Sequence, residues 1–137
     1  MFSQTVEYAL RAMVQLAVEA PEACTTQHIA ESTKAPPAYL SKVLQSMRRA
    51  GLIHTRRGVG GGVKLARPPK KISLLEVISA VEPLERSVQL PPRMRSTGSM
   101  AQLDRKVDGM LDQLRKSCSG ASLADVAPKP SAKARRA

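Results

Sequence analysis

Between Ser32 and Leu75 the chain carries ten Lys or Arg residues and not one Asp or Glu. The whole 137-residue chain has a formal net charge of +11, so nearly all of the excess lies in this stretch. A charge block on a segment patterned to fold suits a surface that meets a polyanion. The glycines within it, Gly58 and Gly60 to Gly62, raise a second chemistry, the cradling of nucleotide phosphates. The pattern G-x-x-x-x-G-K-[ST] fails because Lys64 stands between Val63 and Leu65, and G-x-G-x-x-G fails because Val63 takes the third glycine's place. The only histidines are His28 and His54, and no Cys/His cluster has metal spacing. No enzyme is expected.

The elements that must position the cations follow from spacing. Pro36 and Pro37 suit a helix entrance, where a missing N–H costs nothing. Leu40, Val43, Leu44 and Met47 then recur as one buried face, and Gly51 follows as a C-terminal cap. Tyr39, Ser41, Lys42, Gln45, Arg48 and Arg49 face outward. Such a helix fits a major groove, and taken alone it fits a solvated surface helix equally well. The hairpin shifts the balance: Leu52–Arg56 and Val63–Leu65 are short β-forming runs around a glycine turn, flanked by Arg56, Arg57 and Lys64. An arginine at its tip can enter a minor groove, where the potential is most negative. Helix plus basic wing is the reading.

Ahead of this unit, residues 3–19 form an amphipathic helix built on Val6, Leu10, Met13 and Ala17. Thr25 or Thr26 caps a short second helix over Gln27–Thr33. The two short helices make a helix-turn-helix. His28 beside the cap reads as a solvated surface residue. After the wing, Ser73-Leu74-Leu75-Glu76 is a capping box opening a helix through Glu82. Residues 84–98 lack periodicity and read as a loop. A second capping box, Ser99-Met100-Ala101-Gln102, opens a long helix to about Lys116, with Gly120 as the stop. Its stripe of Met100, Leu103, Val107, Met110 and Leu114, with Leu111 alongside, has coiled-coil spacing, though two heptads alone do not separate a partner helix from the chain's own core. Ser122–Val126 is a short capped turn. The expected organisation is a DNA-binding unit over 1–83, a loop over 84–99, a long helix and a short closing helix over 100–126, and a disordered basic tail over 127–137.

Few aromatics (Phe2, Tyr8, Tyr39) argue against stacking of single-stranded nucleic acid. Two cysteines, Cys24 and Cys118, fit a reducing cytosol and not a disulfide scaffold. No secretory signal and no membrane-crossing run is visible, which gives a cytoplasmic expectation.

The run YLSKVLQSMRRAGLIHTRRGVGGGVKLAR is similar to the recognition helix and wing of the Rrf2-type family of bacterial winged helix-turn-helix transcription regulators. That family includes the iron–sulfur cluster assembly regulator, the nitric-oxide-sensing repressor and a cysteine-metabolism regulator. The shared pattern is Y-L-x-x-x-L-x-x-(hydrophobic)-x-x-A-G-L followed by R-G-x-G-G-G. Ser3 and Thr5 before Tyr8-Ala9, the string ISLLEVISAVE, and the closing SLADV extend the resemblance over about residues 3–126. It implies a mainly α fold: a winged helix-turn-helix with a two-stranded β wing and a long C-terminal dimerisation helix. It also implies a homodimer, a repressor, bound to a palindromic operator in double-stranded DNA.

Carried onto this chain, the resemblance gives Tyr39, Ser41, Lys42 and Gln45 to bases or adjacent phosphates, and one or both of Arg48 and Arg49 to phosphates. Arg57 takes the minor groove, with Gly58 and Gly60 allowing close approach and Arg56 and Lys64 flanking. Ser3 is a phosphate contact or simply a cap. Met100, Leu103, Val107, Met110, Leu111 and Leu114 form the dimer interface. Several relatives carry Glu on the recognition helix where this chain has Ser41, so their operator preference does not transfer. Many relatives also hold an iron–sulfur cluster on three loop cysteines, whereas residues 84–99 here contain no Cys and no His. No cofactor and no metal is expected. The effector is then a small molecule, a partner protein, or thiol oxidation at Cys24 or Cys118, whose plainer reading is as ordinary thiols. A sequence-independent binder of double-stranded nucleic acid remains the alternative.

Overall fold

The computed structural model of the chain describes residues 2–59, 61–87 and 98–127. Helix α1 (Gln4–Glu19) opens at Ser3, whose Oγ accepts from the Val6 N–H at 3.3 Å, and buries Val6, Ala9, Met13 and Leu16. Helix α2 (Thr26–Thr33) starts one residue earlier than its spacing predicts, because Thr25 is the cap and accepts from the His28 N–H at 3.0 Å. Lys34 turns the chain with φ +59° toward Pro36.

Helix α3 (Pro37–Arg49) begins with Pro37 at its first position and buries Leu40, Val43, Leu44 and Met47. A lone helix of this length is marginal in water. Burial of those four side chains, each worth about 1.5–3 kcal/mol, is what holds it. Its end is a Schellman turn: the Gly51 N–H reaches the Arg48 carbonyl and the Leu52 N–H the Met47 carbonyl, each at 3.0 Å, with Gly51 at φ +76°. Strands β1 (Ile53–Arg56) and β2 (Gly62–Leu65) then pair antiparallel, Ile53 opposite Leu65 and Arg56 opposite Gly62.

Beyond a 3-10 turn at Pro69–Lys71, helix α4 (Leu74–Val81) starts in the capping box read from the sequence, with both reciprocal bonds formed, and ends one residue short of Glu82. Residues 84–87 correct the loop expectation. Leu84–Ser87 is a short helix, α5, whose turn closes from the Arg86 N–H to the Pro83 carbonyl at 3.0 Å. Leu84 is buried beside Val6, Ile78 and Cys118, and that burial offsets the lack of periodicity.

Helix α6 (Ser99–Gly120) ends at the glycine expected as its stop and corrects one further expectation. The second capping box does not form. Gly98, at φ +69°, is the cap residue with no side-chain bond, so Ser99 is already helical, one position too late to cap. The helix runs past Lys116 to Gly120, because Cys118 still has a buried position against α1 and α4 residues to fill. Helix α7 (Leu123–Val126) closes the chain in a capping box of Ser122 with Asp125. Its Leu123 sits in the same core as α1, α3 and Val63, and its N–H bonds the Ile72 carbonyl at 3.0 Å. The closing turn thus packs into the unit assigned to residues 1–83. The tail from 128 onward, and residues 88–97, lie outside the described residues.

Candidate nucleic-acid interface

Helix α3 turns Ser41, Lys42, Gln45, Arg48 and Arg49 outward, all exposed. The wing stands beside it. A groove opens between them, lined by Thr26 from α2, by Ser41, Gln45 and Arg48 from α3, and by Arg56 and Arg57 from the wing. Neither wall carries a carboxylate. The nearest acids in sequence are turned to local partners: Glu31 accepts from Gln27 at 3.3 Å, and Glu76 pairs with Arg67 at 3.0 Å. The Glu76 carboxyl is held below its ordinary range, first by the Ser73 backbone N–H at 2.9 Å and then by Arg67.

Two glycines fix the wing's pose, and neither was singled out for it by pattern. A Cβ on Gly61 would lie 2.3 Å from the Arg56 carbonyl oxygen, and one on Gly62 would lie 2.5 Å from the Cys24 carbonyl oxygen. That second approach exists because Cys24 pairs with Val63 as a one-residue third strand, with N–H to carbonyl distances of 2.8 and 2.7 Å. A single bridge leaves no periodicity, so the sequence carried no signal for it. Gly58 makes the tip turn at φ +97°, accepting from the Gly61 N–H at 3.0 Å, while Gly60 lies outside the described residues.

Not every assigned residue joins the groove. Ser3 caps α1 and donates to the Glu82 carboxylate. Tyr39 corrects the outward assignment: it is half-buried, its hydroxyl shares a hydrogen bond with Thr5, and its ring meets Tyr8 edge-on at 5.4 Å. Lys64 lies opposite His54 in the hairpin and lines hollows on the side of Ala23 and of Pro21, away from α3. Lys42 and Arg49 are exposed on α3 outside the groove lining.

The α6 stripe expected at a dimer interface divides. Met100, Leu103 and Met110 are 43%, 53% and 60% exposed, and Val107 is half-buried. Leu111, by contrast, is buried within the chain, and Leu114 packs against the cluster of Val6, Ile78, Leu84 and Cys118. Cys24 and Cys118 are both buried, in separate core clusters. Burial raises both thiols above their ordinary pKa, with Glu19 adding to the rise at Cys24.

The fold and groove define a class, a winged helix-turn-helix DNA-binding protein. The family profile described as "Rrf2: Iron-dependent Transcriptional regulator" matches residues 2–129. The chain is 40% identical over 78 residues to the HTH-type transcriptional regulator IscR of Cereibacter sphaeroides, covering 55% of this chain and 50% of that one. It is 35% identical over 77 residues to the HTH-type transcriptional regulator NsrR of Bacillus subtilis, covering 56% and 53%. The structure of CymR, the global cysteine regulator of B. subtilis, superposes with a TM-score of 0.77 at 23% identity, covering 93% of this chain and 95% of that chain. The chain spans 54% to 63% of the length of the first curated relatives it matches. It belongs to the Rrf2 family of DNA-binding transcription regulators, a family of regulators and not of enzymes.

Iron appears in the family's description, and the side chains available to bind it are few. The chain holds two cysteines, and they lie in different core clusters. Among the described residues no group of three or more His, Cys, Asp or Glu is placed to hold a metal ion. These residues do not fit an iron–sulfur cluster, which needs convergent thiolates. Among the described residues no helix is long and apolar enough to cross a membrane.

Proposed function

We propose that the protein is a homodimeric, sequence-specific repressor that binds a palindromic operator without an iron–sulfur cluster. The observation that carries this reading is the carboxylate-free groove between α3 and the wing, which presents Gln45, Arg48, Arg56 and Arg57 together. Two copies joined along Met100, Leu103, Val107 and Met110 of α6 would offer two such grooves to half-sites about one helical turn, roughly 34–36 Å, apart. The exposure of three of those four apolar residues supports the seam. Ser41, Lys42 and Gln45 face bases or adjacent phosphates from α3, one or both of Arg48 and Arg49 face phosphates, and Arg57 enters the minor groove. Arg56 and Lys64 add positive charge along the wing, and Gly58 gives its tip the turn it needs. The effector is a small molecule or a partner protein. Thiol oxidation is the weaker option, because oxidation needs an accessible thiolate and both thiols are buried with raised pKa values.

The test compares affinity for a selected operator with affinity for bulk duplex at a stated salt concentration. Specific binding should be tighter by about a thousandfold or more. The charge of +11 favours a second reading, sequence-independent binding to double-stranded nucleic acid, and equal affinities would select it. Anaerobic reconstitution with iron and sulfide should leave the protein colourless and its operator affinity unchanged.

A further inference from the structure

The residues assigned to bases on α3 are not equivalent once their partners are known. The Ser41 hydroxyl donates to the Pro37 carbonyl at 3.1 Å, which folds the side chain along the helix instead of away from it. Tyr39 spends its hydroxyl on Thr5. Lys42, Arg48 and Arg49 are donors only, matched to guanine's two acceptors or to phosphate oxygens. Gln45 is the one amide on the helix. It is exposed, it lines the groove, and it has no hydrogen-bond partner within the protein among the described residues.

Helical side chains lean toward the N-terminus, so Gln45 covers the turn that holds Ser41. Ser41 is short and folded back, which leaves that space open for the Gln45 amide. The amide is thereby carried toward the leading end of the helix, the part of a recognition helix that meets base edges. It presents one acceptor and two donors side by side. Adenine offers the complementary pair in the major groove, the N6 amino donor and the N7 acceptor, whereas guanine's two acceptors would leave the amide oxygen unmatched. No carboxylate on α3 competes for cytosine.

We infer that Gln45 is the residue that sets operator specificity on α3, by reading one adenine per half-site through a bidentate contact in the major groove. The inference rests on the operator-binding reading above and deepens it.

The experiment selects duplexes from a randomised pool with the wild-type protein and with Gln45→Ala and Gln45→Glu, followed by affinity measurements at fixed salt. The wild type should recover a two-fold-symmetric motif with a fixed A·T pair in each half. Gln45→Ala should lose about 5- to 150-fold of discrimination at that pair alone, with the other positions retained. Gln45→Glu should move the preference there to cytosine, whose N4 amino group a carboxylate accepts. Thermal melting of both variants should match the wild type, as befits an exposed side chain. An unchanged base profile in both variants, an even loss across all sequences as from a phosphate contact, or a lowered melting temperature would each overturn the inference. A wild-type pool with no motif would overturn the operator reading itself, and is distinguishable because the variants are then not needed.

Discussion

Helices α3 and α6 are both amphipathic, and their apolar faces meet different surroundings. On α3 all four stripe residues are buried in the chain's own core, and the polar face is left to solvent. On α6 the stripe splits: Leu111, Leu114 and Cys118 turn into the body, while Met100, Leu103 and Met110 stay exposed. Spacing defines a face but says nothing of what covers it. Where the cover comes from the same chain, the pattern and the packing agree. Where the chain covers only part of the face, spacing does not say which part.

The sharpest way to break this contrast is to place a charge on each half of α6. Leu103→Asp leaves the protomer folded, because that side chain is 53% exposed, yet it should cost the dimer several kcal/mol by burying a carboxylate in the seam. Light scattering should report monomers, and operator affinity should collapse. Leu111→Asp should instead unfold the protomer, visible as lost helical circular dichroism. Dimers persisting with Leu103→Asp would show that the exposed stripe is not the seam.

Next come the wing positions. Gly62→Ala should cost about 1–3 kcal/mol of stability, since its Cβ would lie 2.5 Å from the Cys24 carbonyl oxygen at φ +141°. The wing would shift and operator affinity fall with α3 intact. Arg57→Ala should weaken specific binding by about 1–3 kcal/mol, while Lys42→Ala should weaken all duplexes evenly and flatten the salt slope by about one phosphate contact. Equal losses on operator and random DNA for Arg57→Ala would reject its groove role.

The α3–wing unit was legible because its determinants are local: prolines at the entrance, a four-residue stripe, Gly51 at the exit and β-formers around a glycine turn. The helix after the wing was legible for the same reason, through Ser73 and Glu76. What escaped depends on distant partners. The Cys24–Val63 bridge joins residues far apart in sequence through main-chain atoms alone, so no side-chain pattern records it. Tyr39 was read as outward by helical spacing, but Thr5 and Tyr8 from α1 capture it. The helical turn at Leu84 forms because one leucine finds a hole among α1, α4 and α6 residues. The motif S-x-x-Q at Ser99 failed where S-x-x-E at Ser73 succeeded, because a capping box needs its serine at the non-helical position and Gly98 already holds it.

A smaller effect sharpens the same comparison on α6. Gly109 is exposed within the helix, and a Cβ there meets nothing within 4 Å. Gly109→Ala should therefore raise stability by about 0.5–1 kcal/mol, seen as a higher denaturant midpoint. A lower midpoint would place Gly109 against a partner helix that approaches too closely for a methyl group.

The smallest effect concerns Glu76, the first carboxylate after the basic block and the lock on α4. Its folded pKa is depressed, mainly by the Ser73 N–H and then by Arg67. A depressed carboxylate stabilises the fold at pH values above its unfolded pKa, about 4.3, and that contribution is lost as the pH falls through the lower folded value. The side chain is 42% exposed, so solvent screening keeps the contribution to about 0.2–1 kcal/mol. Glu76→Gln should thus lower the urea midpoint at pH 7. The gap between variant and wild type should close in acid, where the wild-type carboxyl is itself protonated. A gap that stayed constant from pH 7 into acid would mean that the amide fails sterically, and that the charge of Glu76 contributes nothing to the helix start.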